Sequence, residues 1–162
     1  MAEEIFNKDK LYAVIMAGGR GTRFWPLSRN KRPKQLLSLT DSRPLLRHTA
    51  DRILPLIDKD RVLVVTARNH AEGVLEVLSD LPKENILIEP EGKNTAPALA
   101  FAAAHLLERD PDAVMAVMPS DHIIGAPERL LAEIELAAKV ADKHKILVTF
   151  GIRPTRPETG YG

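Results

Sequence analysis

Short apolar, β-branched runs alternate along this chain with longer segments whose apolar residues recur every three or four positions. Leu11 to Ala17 (LYAVIMA), Arg61 to Ala67 (RVLVVTA), Asn85 to Glu89 (NILIE), Ala113 to Met118 (AVMAVM) and Ile146 to Ile152 (ILVTFGI) read as five strands. Pro44 to Ile57 reads as a helix with Leu45, Leu46, Thr49, Ile53 and Leu56 on one face, and Pro55 marks its late end. Ala71 to Leu81 turns Val74, Leu75, Val77 and Leu78 inward. Asn94 or Thr95 caps an Ala-rich helix from Ala96 to Glu108, with Pro97 accommodated in its first turn. Pro127 to Ala141 carries the stripe Leu130, Leu131, Ile134, Ala138 and Ala141. Strands without polar alternation, separated by amphipathic helices, are parallel strands covered from both sides. The predicted fold is therefore α/β: a doubly wound, mostly parallel sheet with helices on both faces. Ligands of such sheets sit at the carboxyl ends of strands, near a switch in strand order. Chemistry is expected just after the first, third, fourth and fifth runs.

Charge sharpens this expectation. The 162 residues hold 23 Lys+Arg and 22 Asp+Glu, a formal net charge of +1. Between Gly18 and Gln35, however, stand Arg20, Arg23, Arg29, Lys31, Arg32 and Lys34, with no acidic residue among them. Positive charge confined to one stretch that also holds Gly18, Gly19 and Gly21 suits a small anion. A nucleic-acid binder would spread it over a face or a tail.

Composition excludes other classes. At 44% apolar and 28% charged, the chain can bury a core and is no disordered tail. No apolar run approaches the roughly 20 residues of a membrane span, and the polar Met1–Lys10 stretch is unlike a secretory signal. The absence of cysteine removes disulfides, thiolate zinc sites and thiol nucleophiles. The histidines at 48, 70, 105, 122 and 144 show no i, i+4 metal pair. The expected location is the cytoplasm.

After the first run comes Gly18-Gly19-Arg20-Gly21-Thr22-Arg23. Glycine lets backbone amides approach an anion, and arginine offers forked donors to phosphate oxygens. No Gly-Lys-Ser/Thr follows, so this is no Walker A loop, and the third glycine of the dinucleotide fingerprint is missing. From the residues alone it is either an anion cradle or a glycine-rich turn with solvated arginines. The loop continues through Phe24-Trp25-Pro26-Leu27-Ser28 to Pro33-Lys34-Gln35. Trp25 reads as a hydrophobic plug for the loop. Lys34, between a proline and Leu36-Leu37, is a fixed point charge suited to phosphate.

Taken as one string, AGGRGTRFWPLSRNKRPKQ resembles the signature of the sugar-nucleotide pyrophosphorylases, and its PheTrpProLeuSer and ProLysGln portions resemble the mannose-1-phosphate guanylyltransferase branch. Three further segments agree in order and spacing: Glu89-Pro90-Glu91-Gly92-Lys93-Asn94-Thr95-Ala96-Pro97, Met118-Pro119-Ser120-Asp121-His122, and Phe150-Gly151-Ile152 with Pro157-Glu158-Thr159-Gly160-Tyr161-Gly162. The resemblance runs from about Tyr12 to the last residue. It implies a Rossmann-like nucleotidyltransferase fold, with residues 1–162 forming the N-terminal nucleotide-binding part of the catalytic domain. The family's later Glu-Lys-Pro segment, second metal-binding aspartate and C-terminal β-helical domain are not among these residues. The ThrGlyTyrGly ending, without a capped helix or a polar tail, is expected to be that of a fragment.

The resemblance also implies a reaction: GTP and mannose 1-phosphate, with Mg2+, give GDP-mannose and pyrophosphate. The implied roles fall residue by residue. Gly18, Gly19 and Gly21 would cradle the nucleotide together with Thr22, Arg20 and Arg23 would hold its phosphates, and Lys34 would meet the sugar phosphate or the α-phosphate. Asp121 would bind magnesium, its alternative being the cap of the next turn. Asn94 and Thr95 would contact base or ribose, a role compatible with a plain helix cap. Gly160, Tyr161 and Gly162 match the sugar pocket. His122 is expected to make a structural hydrogen bond, because a sugar phosphate is already ionised and needs no general base. No nucleic-acid or membrane partner is expected, and homo-oligomer formation by a full-length parent stays open. The competing readings are a non-catalytic nucleotide-binding module and a relative that uses another base or hexose 1-phosphate.

Overall fold

The computed structural model describes residues 6–18, 33–38, 41–153 and 157. Four strands, β1 (Leu11–Met16), β2 (Val62–Ala67), β3 (Ile86–Glu89) and β4 (Val114–Pro119), form one parallel sheet in the order β3-β2-β1-β4. Each lies within a residue of its predicted bounds. The helices are α1 (Leu45–Ile53), α2 (Ala71–Val77), α3 (Thr95–Arg109) and α4 (Pro127–His144). As Pro55 requires, α1 stops ahead of it.

Strand residues alternate between two helical layers. Ala13 and Ile15 of β1, with Val62 and Val64 of β2, pack against Leu46, Ala50 and Ile53 of α1, Val74 of α2, and Ile134 and Ala138 of α4. Val14, Leu63, Val65 and Leu87 point the other way, onto Ala98, Ala102 and Leu106 of α3. The i, i+2 alternation of strands and the i, i+4 spacing of the α3 stripe give this arrangement directly. Helices therefore cover both faces, as predicted. β1 to β2 to β3 steps one way across the sheet, and β4 then lies on the opposite side of β1. The switch in strand order falls between β1 and β4.

The predicted fifth strand is corrected. Residues 146–152 follow α4 without joining the sheet; Leu147 is 98% and Ile152 87% exposed. Lys145 ends α4 in the left-handed region (φ 53°), and the amide of Ile146 still donates to the Ala141 carbonyl. Among the described residues β4 is an edge strand, and the run does not pair with it, so it lacks the hydrogen-bonding neighbour a strand requires.

Candidate functional site

The exit of β1 is held on several sides. The amide of Ala17 extends the ladder to Val65 O (2.8 Å), while its carbonyl accepts from Gln35 Nε2 (2.6 Å) and Thr66 Oγ1 (3.3 Å). The Ser120 amide donates to Met16 O (3.2 Å), so the chain beyond β4 is tied to the same point. Gly18 follows directly, and the glycine loop starts from a fixed base.

Gln35 belongs to a single 3-10 turn, Lys34–Leu36, packed under the sheet's carboxyl edge. A Cβ on Gly73 would lie 2.6 Å from Leu36 Cδ1, so any larger residue in α2 would have to displace the Leu36 side chain of this turn. The turn's position sets that of Lys34. Its Nζ lies 2.8 Å from Asp121 Oδ2, both side chains partly exposed. Arg52 of α1 donates from Nη2 to the His122 carbonyl (2.8 Å) and to Thr49 Oγ1 (3.4 Å), bracing the segment that carries Asp121. Burial alone pulls the Arg52 pKa down. The His122 side chain is exposed; its carbonyl is the group engaged.

Gly18, Lys34 and Asp121 are thus gathered where the strand order switches. The pairing of Lys34 with Asp121 joins two residues expected to serve different ligands. Asn94 and Thr95 stand apart from them, exposed at the start of α3. Asn94 occupies the N-cap position at φ 68°, but its side chain makes no capping hydrogen bond, so its polar end is left outside the helix. Gly19, Arg20, Gly21, Thr22, Arg23, Gly160, Tyr161 and Gly162 lie outside the described residues.

One residue escaped the sequence reading. Glu89 ends β3, across the ladder from Ala67, and is only 8% exposed. Among the described residues its carboxylate has no hydrogen-bond or ion-pair partner, and burial pushes its pKa up. It lines a shallow depression with Pro90, Glu91, Lys93, Pro97 and Phe101. Its Oε2 would lie 3.4 Å from a Cβ placed on Gly18. The available signal was a charged residue closing an otherwise apolar strand.

No group of three or more His, Cys, Asp or Glu side chains among the described residues could hold a metal by itself. A single strand-end carboxylate still fits magnesium, which is bound through one or two carboxylates plus substrate phosphates.

The family model described as "Nucleotidyl transferase" matches residues 12–162. The chain is 46% identical over 151 residues to a mannose-1-phosphate guanylyltransferase of Salmonella montevideo, covering 92% of this chain and 31% of that protein. It is 42% identical over 151 residues to the alginate biosynthesis protein AlgA of Pseudomonas putida, with the same coverage of 92% and 31%. A crystal structure described as a mannose-1-phosphate geranyltransferase from Thermus thermophilus superposes with a TM-score of 0.82 at 38% identity, over 94% of this chain and 44% of that one. The chain spans about a third of the length of the curated relatives it matches.

Proposed function

The chain belongs to the nucleotidyl transferase family, and on that premise we propose that it is the nucleotide-binding part of an enzyme transferring GMP from GTP to mannose 1-phosphate. An oxygen of the sugar phosphate attacks the α-phosphorus in line. The bond from that phosphorus to the bridging oxygen breaks, and pyrophosphate leaves with GDP-mannose as the other product. No protein nucleophile is needed, so the protein's task is positioning and charge neutralisation. The name of the Salmonella relative supports guanine and mannose.

The observation that carries this reading is the meeting of Lys34 and Asp121, 2.8 Å apart, beside Gly18 at the strand-order switch. A fixed ammonium suits a phosphate oxygen, and a carboxylate beside it suits the divalent cation that accompanies phosphates. Asp121 would hold magnesium together with phosphate oxygens. When bound, the ion would supply neutralisation of charge on the α-phosphate and on the leaving pyrophosphate. Arg20 and Arg23 would clamp the phosphates, Gly18, Gly19, Gly21 and Thr22 would line them, and Asn94 and Thr95 would reach base or ribose. Gly160, Tyr161 and Gly162 would border the sugar. We place the reaction in the cytoplasm; among the described residues no helix is long and apolar enough to cross a membrane.

The test is made in a full-length version. Arg20→Ala and Asp121→Ala should each lower GDP-mannose formation at least about a hundredfold, as expected for loss of a preorganised electrostatic contact. A near-normal rate of pyrophosphate release in either variant removes that residue from the mechanism. Taken alone, the 162-residue chain should bind GTP with magnesium in a calorimeter.

A further inference from the structure

Gln35 is a buried polar side chain at a place where an apolar one would pack as well. It is 4% exposed, and burying an amide costs free energy unless hydrogen bonds replace those it made to water. Burial of the neighbouring Leu36 and Leu37 already anchors the 3-10 turn. The turn's main-chain hydrogen bonds close it on itself and tie it to α1. Leu36 N donates to Pro33 O and Leu37 N to Lys34 O (3.0 Å each), and Leu45 N donates to Leu37 O (3.1 Å). The bond to β1 is made instead by a side chain, from Gln35 Nε2 to Ala17 O across 18 positions of sequence.

What the amide adds to burial is direction. Apolar packing lets a turn slide, whereas a hydrogen bond at 2.6 Å fixes the distance and angle of approach. The two residues it joins stand next to the two phosphate-directed positions: Ala17 precedes Gly18, and Gln35 follows Lys34. The Lys34–Asp121 ion pair cannot set that spacing. Both side chains are partly exposed, such pairs contribute little, and the lysine ammonium rides on a flexible stem. The Ala17 carbonyl also accepts from Thr66 Oγ1 (3.3 Å). Thr66 belongs to β2, which the ladder already holds against β1, so its hydroxyl joins nothing that is otherwise separate.

We infer that Gln35 is a positioning residue of the nucleotide site, its amide locking Lys34 into register with the Gly18 end of β1 so that one polyphosphate meets both. The inference rests on the nucleotide reading proposed above and adds to it the group that sets the spacing of the phosphate contacts. Gln35 acts through Lys34, because its own amide is turned to the Ala17 carbonyl. A grip whose parts are placed before binding spares the ligand the cost of ordering them. Without the amide, Lys34 keeps its charge and loses its place. A hydrogen bond on which binding depends in this way changes affinity about tenfold.

The experiment is a double-mutant cycle read by calorimetric titration of the 162-residue chain with GTP and magnesium chloride. The wild type, Gln35→Met, Lys34→Ala and the double variant are compared, with Thr66→Val as the control that removes the other donor to the same carbonyl. All are titrated at a temperature where melting curves show them folded. Gln35→Met should weaken GTP binding about tenfold. Adding it to Lys34→Ala should weaken binding by less than about twofold further, and Thr66→Val should stay within about twofold of the wild type, as expected when Gln35 works through Lys34 alone. Four results overturn the inference and leave the nucleotide reading standing: unchanged affinity in Gln35→Met, unchanged affinity in Lys34→Ala, an undiminished tenfold loss when the two are combined, or an equal loss in Thr66→Val. Failure of the wild type to bind GTP overturns the nucleotide reading and the inference with it. Should Gln35→Met fold poorly, Gln35→Asn takes its place in the cycle, since it keeps the amide but falls one methylene short of Ala17.

Discussion

Leu11 to Ala17 and Ile146 to Ile152 are both seven-residue stretches of mostly apolar side chains, and they come to opposite ends. Leu11, Ala13, Val14 and Ile15 lose all contact with water, lying between β2 and β4 and under helices from both sides. In the second run Leu147 is 98% exposed, and no strand pairing forms. The difference teaches that strand-like composition is a permission granted by side chains, while a neighbour decides whether it is used. β-propensity expresses packing against cross-strand and facing groups more than any preference of the isolated backbone.

The largest expected effect comes from hollowing out the buried member of the pair. Ile15→Ala should cost about 2–5 kcal/mol, the usual range for truncating a fully enclosed aliphatic side chain, read from the urea midpoint at unchanged slope. A loss under about 1 kcal/mol would mean that β1 is packed no better than the exposed run.

A second effect extends the comparison to a polar group at the same sheet's edge. Burial raises the Glu89 pKa, so the folded chain keeps this proton over a pH range where the unfolded chain has released it. The stability tied to that proton is complete below the ordinary glutamate value and is lost as pH rises through the folded one. Glu89→Gln stays neutral throughout. Its melting temperature relative to wild type should climb as pH is raised from about 4 to neutral, and a flat difference would show that the wall does not disfavour charge.

The smallest effect belongs to the exposed run. Leu147→Lys should change unfolding free energy by no more than about 0.5 kcal/mol, and a larger loss would reveal packing around residue 147.

The contrast also marks what the residues disclose by themselves. Apolar runs and helical stripes pointed to four strands and four helices, because a strand covered on both faces and a helix covered on one leave patterns within a few residues of chain. The same pattern misled at 146–152, where the missing term is a partner elsewhere in the sheet. The site divides similarly. Gly18, Lys34 and Asp121 stand out by residue type and by place after strands, but the Lys34–Asp121 contact joins residues far apart in sequence and is decided by strand order. Asn94 was legible as the residue ahead of α3; its positive φ, which withdraws the side chain from capping, was not. Glu89 was passed over because a charge at a strand's last position is ordinarily solvated, whereas here Gly18 approaches it and it shares a depression with Pro97 and Phe101 of α3.

The placement of β1 between β2 and β4 has a consequence for the order of events at the ribosome. β1 pairs Ala13 with Val62 on one side and Leu11 with Val114 on the other, so its second edge stays open until β4 has been made. At ordinary synthesis rates that interval is on the order of 5–20 seconds. Throughout it, this buried strand presents an unpaired edge, and the carboxylate of Asp121 does not yet exist for Lys34 to meet. A ligand that needs both residues cannot rescue the nascent chain; its help begins only once the fourth strand has closed the sheet.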